Sequence, residues 1–156
     1  MGSWYEDNAA ETVYITWPLT PDSIVFDVGG YEGAWAVCIA ERYNPWLYVF
    51  EPVPRAYDIL VRNMRPWFPK VACFNYGLWV CNGTFPLGDA DCDGASLLKP
   101  DVEPVVEVPV VDIAEFLESE HIDHIDLMSV NIEGGEFELI PYIIKAGIVE
   151  QIDHLM

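Results

Sequence analysis

The chain has 156 residues, 52% of them apolar, and its 26 Asp and Glu against 7 Lys and Arg give a formal net charge of −19. Six Trp, eight Tyr and seven Phe provide material for a packed core, which excludes an acidic disordered tail, and one domain is the expectation at this length. The charge is uneven: 5 basic and 9 acidic side chains over residues 1–70 give −4, and 2 basic and 17 acidic over residues 71–156 give −15. That balance excludes a nucleic-acid binder, which needs a basic footprint, and binding to an anionic membrane surface.

Residues 1–22 read as an N-terminal extension. They carry Glu6, Asp7 and Glu11 in place of a basic leader region, so no signal or transit peptide is expected. No apolar run approaches the ~18 residues of a membrane span. The four cysteines, Cys38, Cys73, Cys81 and Cys92, form no C-x-x-C pair. Free thiols and a cytoplasmic location are the expectation.

The domain begins at residue 23. Ser23 to Val28 is a short β-rich run that meets Gly29-Gly30, and Ala34 to Tyr43 has helical apolar spacing up to the Asn44-Pro45 breaker. Leu47 to Phe50 is a second strand ending at Glu51-Pro52. Pro54 to Met64 is a helix with Tyr57, Leu60, Val61 and Met64 on one stripe. Val71 to Trp79 is strand-like, and residues 80–104, rich in Gly and Pro, read as a loop or hairpin insertion. Val105 to Val111 is a strand. Asp112 with Glu115 three residues later forms a capping box for a helix through Leu117. Ile125 to Ile132 is a buried strand ending in Glu133-Gly134-Gly135-Glu136, then Phe137 to Lys145 is helical and Ile148 to Met156 starts another strand. Strands alternating with helices predict an α/β fold with a parallel sheet and right-handed crossovers.

Ligands of such sheets bind beyond the carboxyl ends of the strands. The first strand ends Asp27-Val28-Gly29-Gly30-Tyr31-Glu32-Gly33. The dinucleotide pattern G-x-G-x-x-G fails, because Val28 stands at its first position, which argues against a nicotinamide enzyme. D-x-G-x-x-x-G fits, with Asp27, Gly29 and Gly33. A strand-end Asp suits a ligand with an ammonium group and a sulfonium better than a pyrophosphate. Glu51 lies 24 residues after Asp27, where a carboxylate can accept from both ribose hydroxyls. The glycine turn by itself is equally compatible with a plain strand-to-helix connection; the two acids at strand spacing favour a ligand site.

These stretches, with Gly94-Ala-Ser-Leu-Leu98, Val108-Pro-Val-Val-Asp112 and Ile125 to Glu136, resemble the FkbM family of S-adenosylmethionine-dependent methyltransferases over about residues 23–156. Phe50-Glu-Pro-Val-Pro54 and Ile132-Glu-Gly-Gly-Glu136 are the most specific. The resemblance implies a class I, Rossmann-like sheet with flanking helices. It implies methyl transfer from S-adenosyl-L-methionine to a hydroxyl on a sugar-like, glycan or small-molecule acceptor. Asp27, Gly29 and Gly30 would then hold the methionine end of the cofactor, Glu51 the ribose, and Gly77 and Leu78 would lie near the adenine, with Gly33 and Pro52 also among the cofactor-binding positions. Asn131, Glu133 and Glu136 become the candidate catalytic residues, placed beside the methyl because their strand neighbours the first. The family pattern commonly reads Lys-x-Asp-x-Glu-Gly; here Ser129 and Asn131 replace the Lys and the Asp, and Asn131 can hydrogen-bond but cannot act as a base. This keeps open a second reading, a non-catalytic module that binds a ligand or partner. The implied sheet closes with two further strands that this chain does not reach, so the domain at 23–156 is expected to be C-terminally incomplete and its open edge to be covered in a homo-oligomer.

Other motifs carry less. Asp89-x-Asp91-x-Asp93-Gly94 opens like an EF-hand loop but has Pro100 where a bidentate Glu belongs. His121 and His124 lack the H-E-x-x-H context of a zinc site, so no metal is expected. Asp112 reads as a cap, not a catalytic acid. For tryptophans 4, 17, 46, 67 and 79 burial is the expectation.

Overall fold

The computed structural model describes residues 16–87 and 106–156. The EF-hand-like Asp89 to Gly94, Cys92, Trp4, the Gly94 to Leu98 stretch and most of the 80–104 insertion lie outside the described residues.

Five strands form a parallel sheet: β1 (Ile24–Val28), β2 (Trp46–Phe50), β3 (Val71–Phe74), β7 (Ile125–Val130) and β8 (Ile152–Leu155), in the spatial order β3-β2-β1-β7-β8. The central position of β1 and its parallel pairing with β7, Asp27 opposite Ser129, fit the α/β architecture expected from the alternating pattern. The alternation of side chains along the strands sorts the core into two layers. Val25, Leu47, Val49, Val71 and Leu127 pack with Ala36, Ile39 and Ala40 of α1 (Ala34–Tyr43) and with Leu60 and Met64 of α2 (Pro54–Met64). Phe26, Val28, Phe50 and Met128 pack on the other face, against Phe116 and Leu117 of α3 (Ile113–Glu120) and Leu139 and Ile143 of α4 (Glu136–Lys145). On this second face Phe50 and Phe74 stack with centroids 5.0 Å apart, and Phe116 meets Phe50 edge-on at 5.1 Å, geometries that the ring quadrupoles favour.

Local chemistry sets the helix ends. Pro54 stands in the first turn of α2, where its missing N–H costs nothing. Asn44 closes α1 in the left-handed region at φ 49°, donating its N–H to Ala40 O. Asp112 caps α3 as expected, with Oδ1 accepting from the Ala114 and Glu115 amides. The reciprocal half of the box is indirect. The Asp112 N–H donates to Asn82 Oδ1, and Asn82 Nδ2 donates to Glu115 Oε2.

Three boundaries differ from the sequence reading. Residues 71–79 do not form one strand: β3 stops at Phe74, and Asn75 donates Nδ2 to the carbonyls of Glu51 and Pro52, turning the chain away from the sheet. Residues 77–79 become β4 (Gly77–Trp79), which joins β5 (Gly83–Leu87) and β6 (Val106–Asp112) in a separate sheet of order β4-β6-β5. The β5–β6 pair is antiparallel, so the described part of the insertion is a strand. Residues 148–151 form a 3₁₀ turn ahead of β8. Finally, β7 ends at Val130 and α4 starts at Glu136, because the residues between make a corner with Glu133 at φ 51° and Gly134 at φ 101°. Among the described residues no helix is long and apolar enough to cross a membrane.

Candidate active site

The carboxyl ends of β1 and β7 open into a cleft of about 630 Å³. Asp27, Gly29 and Gly30 line one side, Ser129, Val130, Asn131 and Glu133 another, and Tyr31, Glu32, Ala34 and Trp35 from the turn and first turn of α1 a third. Five of the candidate site residues, Asp27, Gly29, Gly30, Asn131 and Glu133, therefore meet in one cavity.

The glycine turn is fixed by close approach. The Gly29 and Gly30 amides both donate to Phe50 O at 3.0 Å, tying the turn to β2. Gly29 has φ 90°, and a Cβ there would fall 2.1 Å from the Asn131 carbonyl oxygen. The turn after β1 and the corner after β7 thus touch backbone to backbone, with the Asn131 amide donating to Val28 O at 2.9 Å. A Cβ on Gly30 would meet Val49 Cγ1 at 2.3 Å and stand 3.3 Å from Asp27 Oδ2.

Asp27 is 3% exposed, and its Oδ2 has no hydrogen-bond partner among the described residues. Burial, and then the negative charge of Glu51, push its carboxyl up to about 7. Glu51 is also raised to about 7 by burial, although two backbone amides pull the other way. Tyr31 N–H donates to its Oε2 at 2.8 Å and Val53 N–H to its Oε1 at 2.7 Å. Glu51 does not itself line the cleft; it stands behind Tyr31, which does.

The other expected site residues lie elsewhere. Gly33 is the N-cap of α1 at φ 89°, close under Leu60. Gly77 packs near Pro52, and Leu78 is buried in the core. None of Gly33, Pro52, Gly77 and Leu78 lines the cavity. Glu136 is turned into the corner: Oε1 accepts from the Ile132 amide at 2.6 Å and Oε2 from the Gly134 amide at 2.7 Å. Its carboxylate holds the loop that carries Asn131 and Glu133, and it does not line the cleft. An acid in the first turn of a helix, preceded by a left-handed residue, folds back on its own loop; the sequence shows the acid but not the φ of Glu133.

Tyr31, Glu32, Ala34, Trp35, Ser129, Val130 and Met156 also line the cleft without having been candidate site residues, and Trp35 is the one the sequence reading did not mention at all. It stands two residues beyond Gly33, in the first turn of the helix that follows β1. Of the other tryptophans, Trp79 is buried, whereas Trp46 is exposed under the Lys70 ammonium.

The described cysteines, Cys38, Cys73 and Cys81, are free, and burial followed by the Asp27 charge pushes the Cys73 thiol up to about 11. His121 caps the C-terminus of α3 at φ 57°. His124 lies 3.4 Å from Asp153 and 4.0 Å from Asp126, an exposed group whose ligand atoms fall within 4.8 Å of one another at the start of β7 and β8. Asp126 of this group accepts from the Ile24 amide and the Ser23 hydroxyl, which ties it to the start of β1.

A parallel α/β sheet with a glycine-cornered cleft at its carboxyl edge is a Rossmann-like domain. The pattern of the methyltransferase FkbM domain matches residues 27–153, and the chain belongs to the FkbM methyltransferase family. It is similar to the hexuronic acid methyltransferase AglP of Haloferax volcanii, with 24% identity over 119 residues, 76% of this chain and 49% of that protein. In fold it matches a crystal structure of methyltransferase FkbM from Methylobacillus flagellatus KT, with a TM-score of 0.62 and 13% identity over 88% of this chain and 34% of that one. The chain thus spans about half the length of the curated relative and a third of the solved one.

Proposed function

We propose that this chain binds S-adenosyl-L-methionine and methylates a hydroxyl of a sugar-like or small-molecule acceptor. The observation that carries the reading is the Asp27 carboxylate, buried and with Oδ2 unpartnered, on a residue that lines the cleft beside Gly29 and Gly30. A buried carboxyl of this kind either keeps its proton up to about pH 7 or ionises against a cationic partner, and the amino group of the cofactor supplies such a partner. The residues present fit the group. Asp27 would accept from its ammonium beside the Gly29-Gly30 turn, and the ribose hydroxyls are assigned to Glu51, which stands behind Tyr31 rather than on the cleft wall and keeps lone pairs beyond its two amide partners.

When bound, the cofactor supplies an electrophilic methyl group on sulfur. The chain's own part is alignment and proton removal. Asn131 would orient the acceptor hydroxyl and Glu133, on the same wall, would take its proton. Glu136 would hold both in place. The hexuronic acid methyltransferase relative supports a sugar-type acceptor.

A second reading, a ligand-binding module without turnover, is favoured by Ser129 and Asn131 at the positions of the family's Lys and Asp. Calorimetry with S-adenosylhomocysteine and NAD, followed by labelled methyl transfer from S-adenosylmethionine onto a glycan panel, separates the readings. Heat with the first ligand alone, and label on a glycan, are expected. Binding without transfer selects the module, and no heat with S-adenosylhomocysteine rejects both readings.

A further inference from the structure

Among the described residues two buried side-chain atoms lack a hydrogen-bond partner, Asp27 Oδ2 and the indole nitrogen Nε1 of Trp35. Both residues line the same cleft. Buried polar groups in folded proteins are nearly always paired, so two orphans on residues that line one cleft point to what the cleft receives. An ionised Asp27 only accepts, and an indole N–H only donates. The complementary ligand group offers a donor to one and an acceptor to the other, as the ammonium and carboxylate of an α-amino acid do.

The setting of Trp35 points to an anion. It lies in the first turn of α1, a ten-residue helix whose start has no side-chain cap bond and no acidic residue in its first turn. Free amides and the positive end of the helix dipole favour a negative group there. The indole also packs against the apolar layer that contains Ile39 and Leu60, which fixes the ring independently of its N–H.

We propose that Trp35 is a cofactor-binding residue, its Nε1–H donating to the α-carboxylate of the methionine end while Asp27 accepts from the α-ammonium. This assignment rests on the S-adenosylmethionine reading above and adds to it a residue and the group that residue recognises. It makes the cleft select the intact amino-acid end over analogues without the carboxylate.

The test uses the full chain and two ligands, S-adenosylhomocysteine and its decarboxylated analogue, which keeps the amine, sulfur and adenosine. Calorimetry on the parent and on Trp35→Phe, which keeps a ring and loses the N–H, should show a drop of about tenfold or more for S-adenosylhomocysteine, the scale of one hydrogen bond to a charged group. Affinity for the decarboxylated analogue should stay within about twofold. Indole N–H resonances of the parent give a readout that needs no variant: the Trp35 signal should move downfield with S-adenosylhomocysteine and not with the analogue. Equal losses for both ligands in Trp35→Phe, or an unmoved indole signal, overturn the assignment while leaving cofactor binding intact. A parent that binds neither ligand overturns the cofactor reading and this one together.

Discussion

Replacing Asp27 by Asn separates what this residue costs the fold from what it gives the site. Its carboxyl rises from 3.8 to about 7 on folding. A carboxyl raised in this direction contributes stability that is fully present below pH ~4 and is lost as the pH climbs through ~7, because only the folded state holds the proton across that window. Full ionisation therefore opposes folding by about 4 kcal/mol at high pH, at ~1.4 kcal/mol per tenfold change in proton affinity. At pH 5 only about 2 kcal/mol of this is expressed. An amide in the same place keeps roughly 1–3 kcal/mol of its own unpaired cost at every pH. Asp27→Asn should thus gain about 2–3 kcal/mol relative to the parent between pH 5 and pH 8.5. Both values stand clear of the sequence isoelectric point near 4.1. Urea unfolding of the two proteins at each pH measures the difference. An advantage that does not grow with pH would show that Asp27 is already paired or hydrated in the free protein, and the central premise for a cationic ligand would fall. The same variant should lose affinity for S-adenosylhomocysteine while it gains stability.

Two further outcomes follow from the geometry. Gly29→Ala combines the left-handed penalty, ~1–2 kcal/mol, with a clash against the Asn131 carbonyl of ~1–3 kcal/mol, and should lower the melting temperature by roughly 5–15 °C. Gly147→Ala, at φ 75° with no atom within 4 Å of the added Cβ, should show the conformational part alone, and equal losses at the two sites would refute the close approach. Glu136→Ala should raise hydrogen exchange at the Ile132 and Gly134 amides, which its carboxylate now accepts from. Glu138→Ala on the exposed side of α4 should not, and protection that survives Glu136→Ala would mean that the corner is held by something else.

The strand-to-glycine transition at Asp27-Val28-Gly29-Gly30 and the alternating β and α segments were readable because short-range pattern decides them. Asp27 and Glu51 stood out for the same reason, as acids directly at or after the ends of apolar runs. Long-range geometry decided the rest. The division of residues 71–79 between two sheets depends on Asn75 reaching the Glu51 and Pro52 carbonyls, contacts with no local signature. Glu133 and Glu136 look alike in the sequence, but the left-handed backbone at Glu133 sends one to the cleft and folds the other onto its own loop. Trp35 was hidden among residues whose type suggests burial, and only the unpartnered state of its buried indole nitrogen sets it apart.

The contact between Gly29 and the Asn131 carbonyl has a thermodynamic side. The Asn131 amide donates to Val28 O, and Gly29 leaves no space for a Cβ against the Asn131 carbonyl, so the two segments pack directly on one another. A molecule held against the turn after β1 and one held against the corner after β7 therefore press on a common wall. Whatever factor the first imposes on the affinity of the second, the second returns to the first. The titration of one in the presence of the other is then the natural measure of how stiff that wall is.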